Sequence, residues 1–235
     1  MNEETLDGFR TKLIHEGELE VEGRFVDASN ATLFARVSIG EDSLPVIYKP
    51  IAGERPLWDF PDGTLAAREV AAYIFSEAMD LNLIPYTILR DGPFGMGSVQ
   101  EWIEVPETVD IVELVRSEPE QLRTLALLDA IMNNTDRKFG HILVNSEGSI
   151  FGCDHGLCFH KDDKLRTVLW NWSGVAFSDG EIQLLDKASE AVHLLEEYIS
   201  AAEIDALSQR IGRLRKDGTF PEPSELWPPV PFPPY

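Results

Sequence analysis

Asp136 and Asp154 carry the strongest chemical signal in this chain. Asp136 sits in Asn134-Thr-Asp136-Arg137-Lys-Phe-Gly140-His141-Ile-Leu-Val144, and Asp154 opens Asp154-His155-Gly156 after the apolar run Ser149-Ile-Phe-Gly-Cys153. Two carboxylates at the ends of apolar segments, joined by a short return, have the form of a magnesium–phosphate site. Carboxylate oxygens are ligands that magnesium prefers, and a second carboxylate can orient or accept the proton of an acceptor hydroxyl. Asp136 follows a helix and two asparagines, which points it toward a polar cleft; the tight exit His155-Gly156 would aim Asp154 into the same cleft. The plain alternative makes both aspartates ordinary turn and helix-end residues. His141 could bind a metal, hydrogen-bond a phosphate, or link the loop backbone to Asp154. Arg137 is expected to brace the loop through a carboxylate rather than touch a substrate. His155 and His160 would cap loops.

Phosphoryl chemistry is mainly positioning and charge neutralisation, so it also needs a cation on the non-transferred phosphates. Lys49 closes an apolar segment, and a strand would hold it more rigidly than a loop; the alternative is a solvated lysine at an edge before Pro50. Glu69, on the following helix, could pair with it. The turn Ala28-Ser29-Asn30-Ala31 could set backbone N–H groups and two small polar side chains over phosphates, or be an ordinary hairpin turn.

Those residues need elements to place them. Partial alternation predicts strands over Leu19–Val26 and Ala31–Val37 with the turn between them, and a third strand from Leu44 to Lys49. A helix is expected from Leu65 to Met79, with Thr64 as its N-cap. Strands near Tyr86–Leu89 and Gly97–Ile103 follow, separated by Asp91-Gly92-Pro93. Past Pro106 the pattern turns helical: Pro119 to Met132, then Glu181–Glu190 running on into Ala191–Ser200, and Ala202–Lys216, with a hairpin of Ile142–Val144 and Ser149–Cys153 between. The tail from Pro221 to Tyr235 holds seven of the chain's fifteen prolines and should be extended, with Trp227, Phe232 and Tyr235 packing across the domain or recruiting a partner.

Composition bounds the rest. At 235 residues, 43% hydrophobic and 26% charged, the chain is globular in character. A net charge of -21 argues against nucleic acid or an anionic membrane as the main partner. It does not argue against ATP, which brings its own magnesium. No apolar run is long enough for a transmembrane helix, and the acidic start lacks the features of a signal peptide. Cys153 and Cys158 are the only cysteines, too few for a disulfide framework and without zinc-ligand spacing. A cytoplasmic location is expected.

Asp136-Arg137-x-x-Gly140-His141-Ile-Leu-Val with Ile150-Phe-Gly-Cys-Asp154-His155-Gly156 resembles the catalytic and metal-binding loops of the phosphatidylinositol 3-/4-kinase-like and HipA-like atypical kinases. Over about residues 12 to 233 the chain further resembles a bacterial, mostly actinobacterial, family related to phosphatidylinositol kinases. Val46-Ile-Tyr-Lys49-Pro50, Leu57-Trp58-Asp-Phe60-Pro61 and Arg68-Glu69-Val-Ala-Ala-Tyr73 carry that likeness. The resemblance implies a two-lobed α+β protein-kinase-like fold: a β-rich nucleotide-binding lobe over residues 1–103, and a mainly helical catalytic lobe over 104–235. It implies Lys49 as the ATP-phosphate lysine, Glu69 as its helix partner, Asp136 as the catalytic-loop aspartate and Asp154 as a metal ligand. Gln100-Glu101-Trp102-Ile103 would be the hinge that meets adenine, and Ser29-Asn30 the phosphate loop. His141 falls where related kinases place a metal-binding asparagine. The activity implied is ATP-dependent phosphoryl transfer, with magnesium or manganese, to a hydroxyl of a soluble small molecule or protein. The same fold also admits nucleotidyl transfer to a protein, or an ATP-binding pseudokinase that meets partners through its acidic face or its tail. A binding protein of unrelated α+β fold is the remaining reading.

Overall fold

The computed structural model describes residues 3–25 and 30–235. Helix α1 (Glu3–Glu16) precedes strands β1 (Glu18–Arg24), β2 (Leu33–Ile39) and β3 (Asp42–Pro50). Helix α2 (Leu65–Ala78) comes next, then β4 (Thr87–Gly92) and β5 (Gly95–Glu101). The strands form one antiparallel sheet in the order β1-β2-β3-β5-β4. After it come α3 (Ile111–Arg116), α4 (Glu120–Met132), a hairpin of β6 (Ile142–Val144) and β7 (Ile150–Gly152), α5 (Asp179–Ala191) and α6 (Ala201–Asp217). The architecture is α+β and two-lobed, β-rich first and mainly helical second. Among the described residues no helix is long and apolar enough to cross a membrane.

Alternation along the strands selects the face of the sheet that becomes core. Leu33, Ala35 and Val37 of β2 point the same way as Val46 and Tyr48 of β3 and Val99 of β5, and Leu13 and Ile14 of α1 cover them. Arg90 on β4 closes the C-terminal end of α1 by donating to the carbonyls of Ile14 (2.6 Å) and Gly17 (2.9 Å). The sequence reading placed no helix over residues 3–16.

Tyr48 decides the shape of the neighbouring hairpin. Its ring lies across β4–β5 and its hydroxyl donates to the Gly95 carbonyl. A Cβ on Gly97 would come within 2.5 Å of the Lys49 carbonyl oxygen and 2.7 Å of both Pro50 Cα and the Tyr48 ring. Strand alternation then sends Lys49, one residue on, to the side opposite Tyr48.

The larger core joins α4, the β6–β7 hairpin, α5, α6 and the 3-10 turn at Val192–Leu195. It also takes in Ala71, Ala72 and Phe75 of α2, with Met79 just after it. Helix α2 is therefore packed into the helical half although it stands among the first strands in sequence. A buried ion pair reinforces this: Arg68 reaches Glu203 on α6 (2.6 Å) and the Cys158 carbonyl (2.9 Å).

Several local expectations change. Thr64 occupies the N-cap position of α2, but its hydroxyl donates to the Pro61 carbonyl; the cap comes from Glu54, whose carboxylate accepts from the N–H groups of Leu65 (3.2 Å) and Ala66 (2.9 Å). The expected helical run through Ser200 ends at Ala191 and tightens into the 3-10 turn before α6. Ser178 starts α5 with a capping box to Glu181. The tail packs in part: the Pro229 carbonyl accepts from Thr167 N–H and Trp170 Nε1 (2.9 Å each), Pro234 from Phe139 N–H (2.9 Å), Lys164 lies over the Trp227 ring and Tyr235 meets Phe139, but Phe232 does not pack and stays 90% exposed.

The close fit at Gly97 gives a test. Gly97→Ala should lower unfolding free energy by about 1–3 kcal/mol through overpacking, measured by denaturant titration, while Gly23→Ala, where a Cβ meets open space, should change it by far less.

Candidate functional site

Helix α4 ends at Asn133, whose left-handed backbone (φ 55°) stops the helix. Its amide donates to the carbonyls of His160 (3.0 Å) and Asp162 (2.7 Å), which pins the later loop to the helix end. Asn134 then folds the chain back, accepting from Asp136 N–H (3.0 Å) and donating to Asp129 (2.9 Å).

Arg137 is fully buried and uses all five of its N–H donors. Nε and Nη2 form a forked pair with Asp129 of α4 (2.8 and 2.9 Å), Nη1 donates to the carbonyls of His141 (3.0 Å) and Cys153 (2.8 Å), and Nη2 also meets His155 Nε2 (2.7 Å). This is the bracing role expected for Arg137. Because arginine only donates, His155 accepts through Nε2 and carries its proton on Nδ1, which has no hydrogen-bond partner among the described residues. Burial, then the Arg137 and Lys49 charges, push His155 well below the usual histidine range.

The expected site residues from distant parts of the chain meet here. The Lys49 ammonium donates to Glu69 and to Asp154 Oδ1 (2.7 Å). The other Glu69 oxygen accepts from the backbone N–H of His155 (2.9 Å), so one carboxylate fastens both the lysine and the loop. Burial acts to lower Lys49, but Asp154 and Glu69 outweigh it and hold the ammonium above its ordinary value. Burial pushes Glu69 up against the pull of Lys49. Asp154 has a left-handed backbone (φ 60°) and keeps 49% of its side chain open. Crowding by the protein acts to raise its carboxyl, yet the Lys49 charge, then His141, hold it well below the usual carboxylate range.

His141 links the two acidic loops. Its Nδ1 lies 2.9 Å from the Asp136 carbonyl, and its Nε2 lies 3.2 Å from Asp154 Oδ2. Burial lowers its pKa, with Asp154 opposing. The carbonyl oxygen can only accept, so Nδ1 carries a proton, and Nε2 is left facing a carboxylate oxygen. A backbone carbonyl holding the far nitrogen is the usual way to orient a metal-binding imidazole. Among the described residues no group of three or more His, Cys, Asp or Glu side chains is arranged to hold a metal. Asp154 and His141 could supply at most two protein ligands to a cation, whose other ligands would have to come from outside the protein.

Asp136 is half-buried beside them. Burial raises its carboxyl, while Lys138 (Nζ to Oδ2, 3.4 Å) and His141 pull the other way. Lys138 escaped the sequence reading. The available signal was its place two residues after Asp136, the same side of an extended segment.

The other expected positions are placed less closely. Asn30 Oδ1 accepts from Arg55 N–H (2.8 Å), tying its turn to the chain after β3; Ser29 lies outside the described residues. Gln100 is buried and donates to Thr87 (2.9 Å). Glu101, the last residue of β5, and Trp102, just past it, donate their N–H groups to the carbonyls of Tyr86 (2.9 Å) and Pro45 (3.2 Å), and Trp102 packs on Phe34, so backbone bonding to the sheet runs one residue beyond the strand and Ile103 follows it. A cavity of about 180 Å³ lies between Ile51 and Leu65 and another of about 220 Å³ between α4, α6 and the tail; neither is lined by Lys49, Asp136 or Asp154.

The arginine brace should be separable from chemistry. Arg137→Met strands a buried carboxylate and should lower unfolding free energy by about 3–5 kcal/mol; Asp136→Asn, which leaves the brace intact, should lower it by under about 1 kcal/mol. Paired denaturant titrations check both.

No family model matches the sequence. In fold the chain is similar to the crystal structure of the Helicobacter pylori proinflammatory kinase CtkA, with a TM-score of 0.50, 13% identity, and coverage of 87% of this chain and 94% of that one. It is also similar to the Golgi casein kinase solved with Mn/ADP bound, with a TM-score of 0.55, 10% identity, and coverage of 92% and 76%. At such identities the likeness is one of fold: a two-lobed kinase-like architecture. In sequence, protein Rv2133c of Mycobacterium tuberculosis (strain ATCC 25618 / H37Rv) is 39% identical over 261 residues, spanning 94% of each chain. On that extent and identity, this chain belongs to the same family as Rv2133c.

Proposed function

We propose that this protein is an ATP-dependent phosphotransferase of the atypical kinase type, acting on a hydroxyl of a soluble small molecule or protein. The observation that carries the proposal is the Lys49 ammonium, held between Glu69 of α2 and Asp154 while Asp154 also faces the His141 nitrogen. A lysine fixed in this way is positioned for α- and β-phosphates, and Glu69 keeps it there when Asp154 turns to other ligands. Asp154 and His141 would hold magnesium or manganese, which when bound supplies charge neutralisation on the phosphates. Asp136 orients the acceptor hydroxyl and takes its proton as the acceptor oxygen bonds to the γ-phosphorus of ATP, while the bond from that phosphorus to the β–γ bridging oxygen breaks and its electron pair leaves with ADP. The raised pKa of Asp136 favours that role. Adenine would meet the chain at Gln100–Ile103, with Ile103 the backbone edge that the sheet leaves open, and the Ser29–Asn30 turn would cover the phosphates. In this reading the nucleotide lobe spans residues 1–103 and the catalytic lobe 104–235, and the protein works in the cytoplasm.

His141 in place of an asparagine favours a second reading, a nucleotide-binding pseudokinase. Turnover separates the two: a melting shift with ATP and manganese but no product would support the pseudokinase. Intact mass of the product distinguishes phosphoryl from nucleotidyl transfer.

Two variants test the assigned roles. Asp136→Ala should lower transfer by about 10²–10⁴-fold while ATP binding, read by calorimetry, holds within about threefold. Asp154→Ala should instead abolish the metal dependence of nucleotide binding. Transfer at wild-type rate by Asp136→Ala would end the role given to that carboxylate. His141→Asn, restoring an oxygen ligand, should raise the ratio of magnesium- to manganese-supported activity.

A further inference from the structure

The chain has 20 lysines and arginines against 41 aspartates and glutamates, and most cationic side chains carry a carboxylate or carbonyl partner. Among the described residues, those without one are Arg24, Arg55, Lys161 and Lys216, which are all exposed, and Arg166, which is not. The Nε of Arg166 is shielded from solvent and has no hydrogen-bond partner among the described residues. Its terminal nitrogens make no ion pair or hydrogen bond with a described residue either. A guanidinium that is partly desolvated and unpaired is unfavourable in isolation, and in a chain with twice as many acids as bases a partner would be easy to supply.

Its location gives the charge a purpose. Arg166 N–H donates to the Asn134 carbonyl (2.9 Å), and its own carbonyl accepts from Arg137 N–H (3.0 Å), so its backbone runs alongside Asp136. Val168 N–H completes the ladder on the Arg137 carbonyl (3.1 Å), which makes Arg137 and Thr167 a parallel bridge. Bridge partners put their side chains on one side, and both of these are buried. Alternation then turns Asp136, Lys138 and Arg166 to the opposite side, where Lys138 contacts Asp136.

We propose that Arg166, with Lys138 beside it, forms an anion subsite on the acceptor side of the Asp136 loop, taking a phosphate group carried by a small soluble acceptor. Arginine presents a planar fork that matches two phosphate oxygens, and lysine adds a point charge. The word acceptor rests on the phosphotransferase reading above; the anion subsite does not. The chain's net charge of -21 repels polyanions at long range, which favours a small ligand with one or two anionic groups.

Inorganic phosphate is the probe, titrated by calorimetry into the full chain without ATP. Lys49→Met removes the cation assigned to the nucleotide, so binding that survives reports the second site. Phosphate should still bind Lys49→Met, and adding Arg166→Gln should weaken it at least about tenfold, or about 1.4 kcal/mol. Arg55→Gln, at an exposed unpaired cation, should leave it unchanged. In phosphate-free buffer Arg166→Gln should melt at or above the wild-type temperature, and added phosphate should raise the melting temperature of the wild type more than that of the variant. Phosphate binding that disappears with Lys49→Met alone, or that is indifferent to Arg166→Gln, would overturn the subsite. So would a lower melting temperature for Arg166→Gln without phosphate, which would make the guanidinium structural. Arg166-dependent phosphate binding in a protein that turns over no ATP would end the phosphotransferase reading and leave the subsite standing; turnover without it would do the reverse.

Discussion

The buried pair of Arg137 and Asp129 is the interaction on which the centre of the molecule depends. Neither side chain is exposed to water, so each needs the other, and the arginine's remaining donors must also find acceptors inside the protein. They find three: the carbonyl of His141 just before β6, the carbonyl of Cys153 just after β7, and the ring of the histidine after Asp154. A planar guanidinium fixes directions as well as distances. The Asp136 loop and the Asp154 loop therefore share one rigid reference, and the spacing between their carboxylates follows from it.

A second constraint acts from the sheet side. Tyr48 faces the small core and Lys49 faces away from it, because neighbouring residues of a strand must. Glu69 meets that lysine from a helix whose other face belongs to the large core. Glu69 also receives the His155 N–H, so the helix, the third strand and the Asp154 loop converge on one carboxylate. Charge balance is local: one ammonium between two carboxylates, with the His141 imidazole beside them.

How much of this could be read beforehand follows from how local each cause is. The strands, α2, α4 and α6 announce themselves by alternation or by helical spacing over a few turns. The Lys49–Glu69 pairing was legible because both residues sit at element positions that a resemblance could match. The loop containing Asp136 and Arg137 was legible because its residue types are unusual for a surface. Long-range partners were not. Arg68 and Glu203 are separated by most of the molecule, and Glu54 replaces Thr64 as a cap only because the intervening loop returns. Helix α1 has too few apolar residues to show a face, and it is held by Leu13, Ile14 and the guanidinium of Arg90 from another element. Arg166 looked like any basic residue in a loop; only an inventory of partners in three dimensions sets it apart.

The packing of α2 bears on how the protein is inherited. A helix that presents a glutamate to the sheet and Ala72 and Phe75 to the helical core belongs to neither half alone. Exchange of the strand-rich half with that of another protein would uncover apolar surface on both sides and break the Arg68–Glu203 pair. Descent should therefore have transmitted the two halves together, with insertions and deletions gathering in the connections rather than at the junction of the lobes.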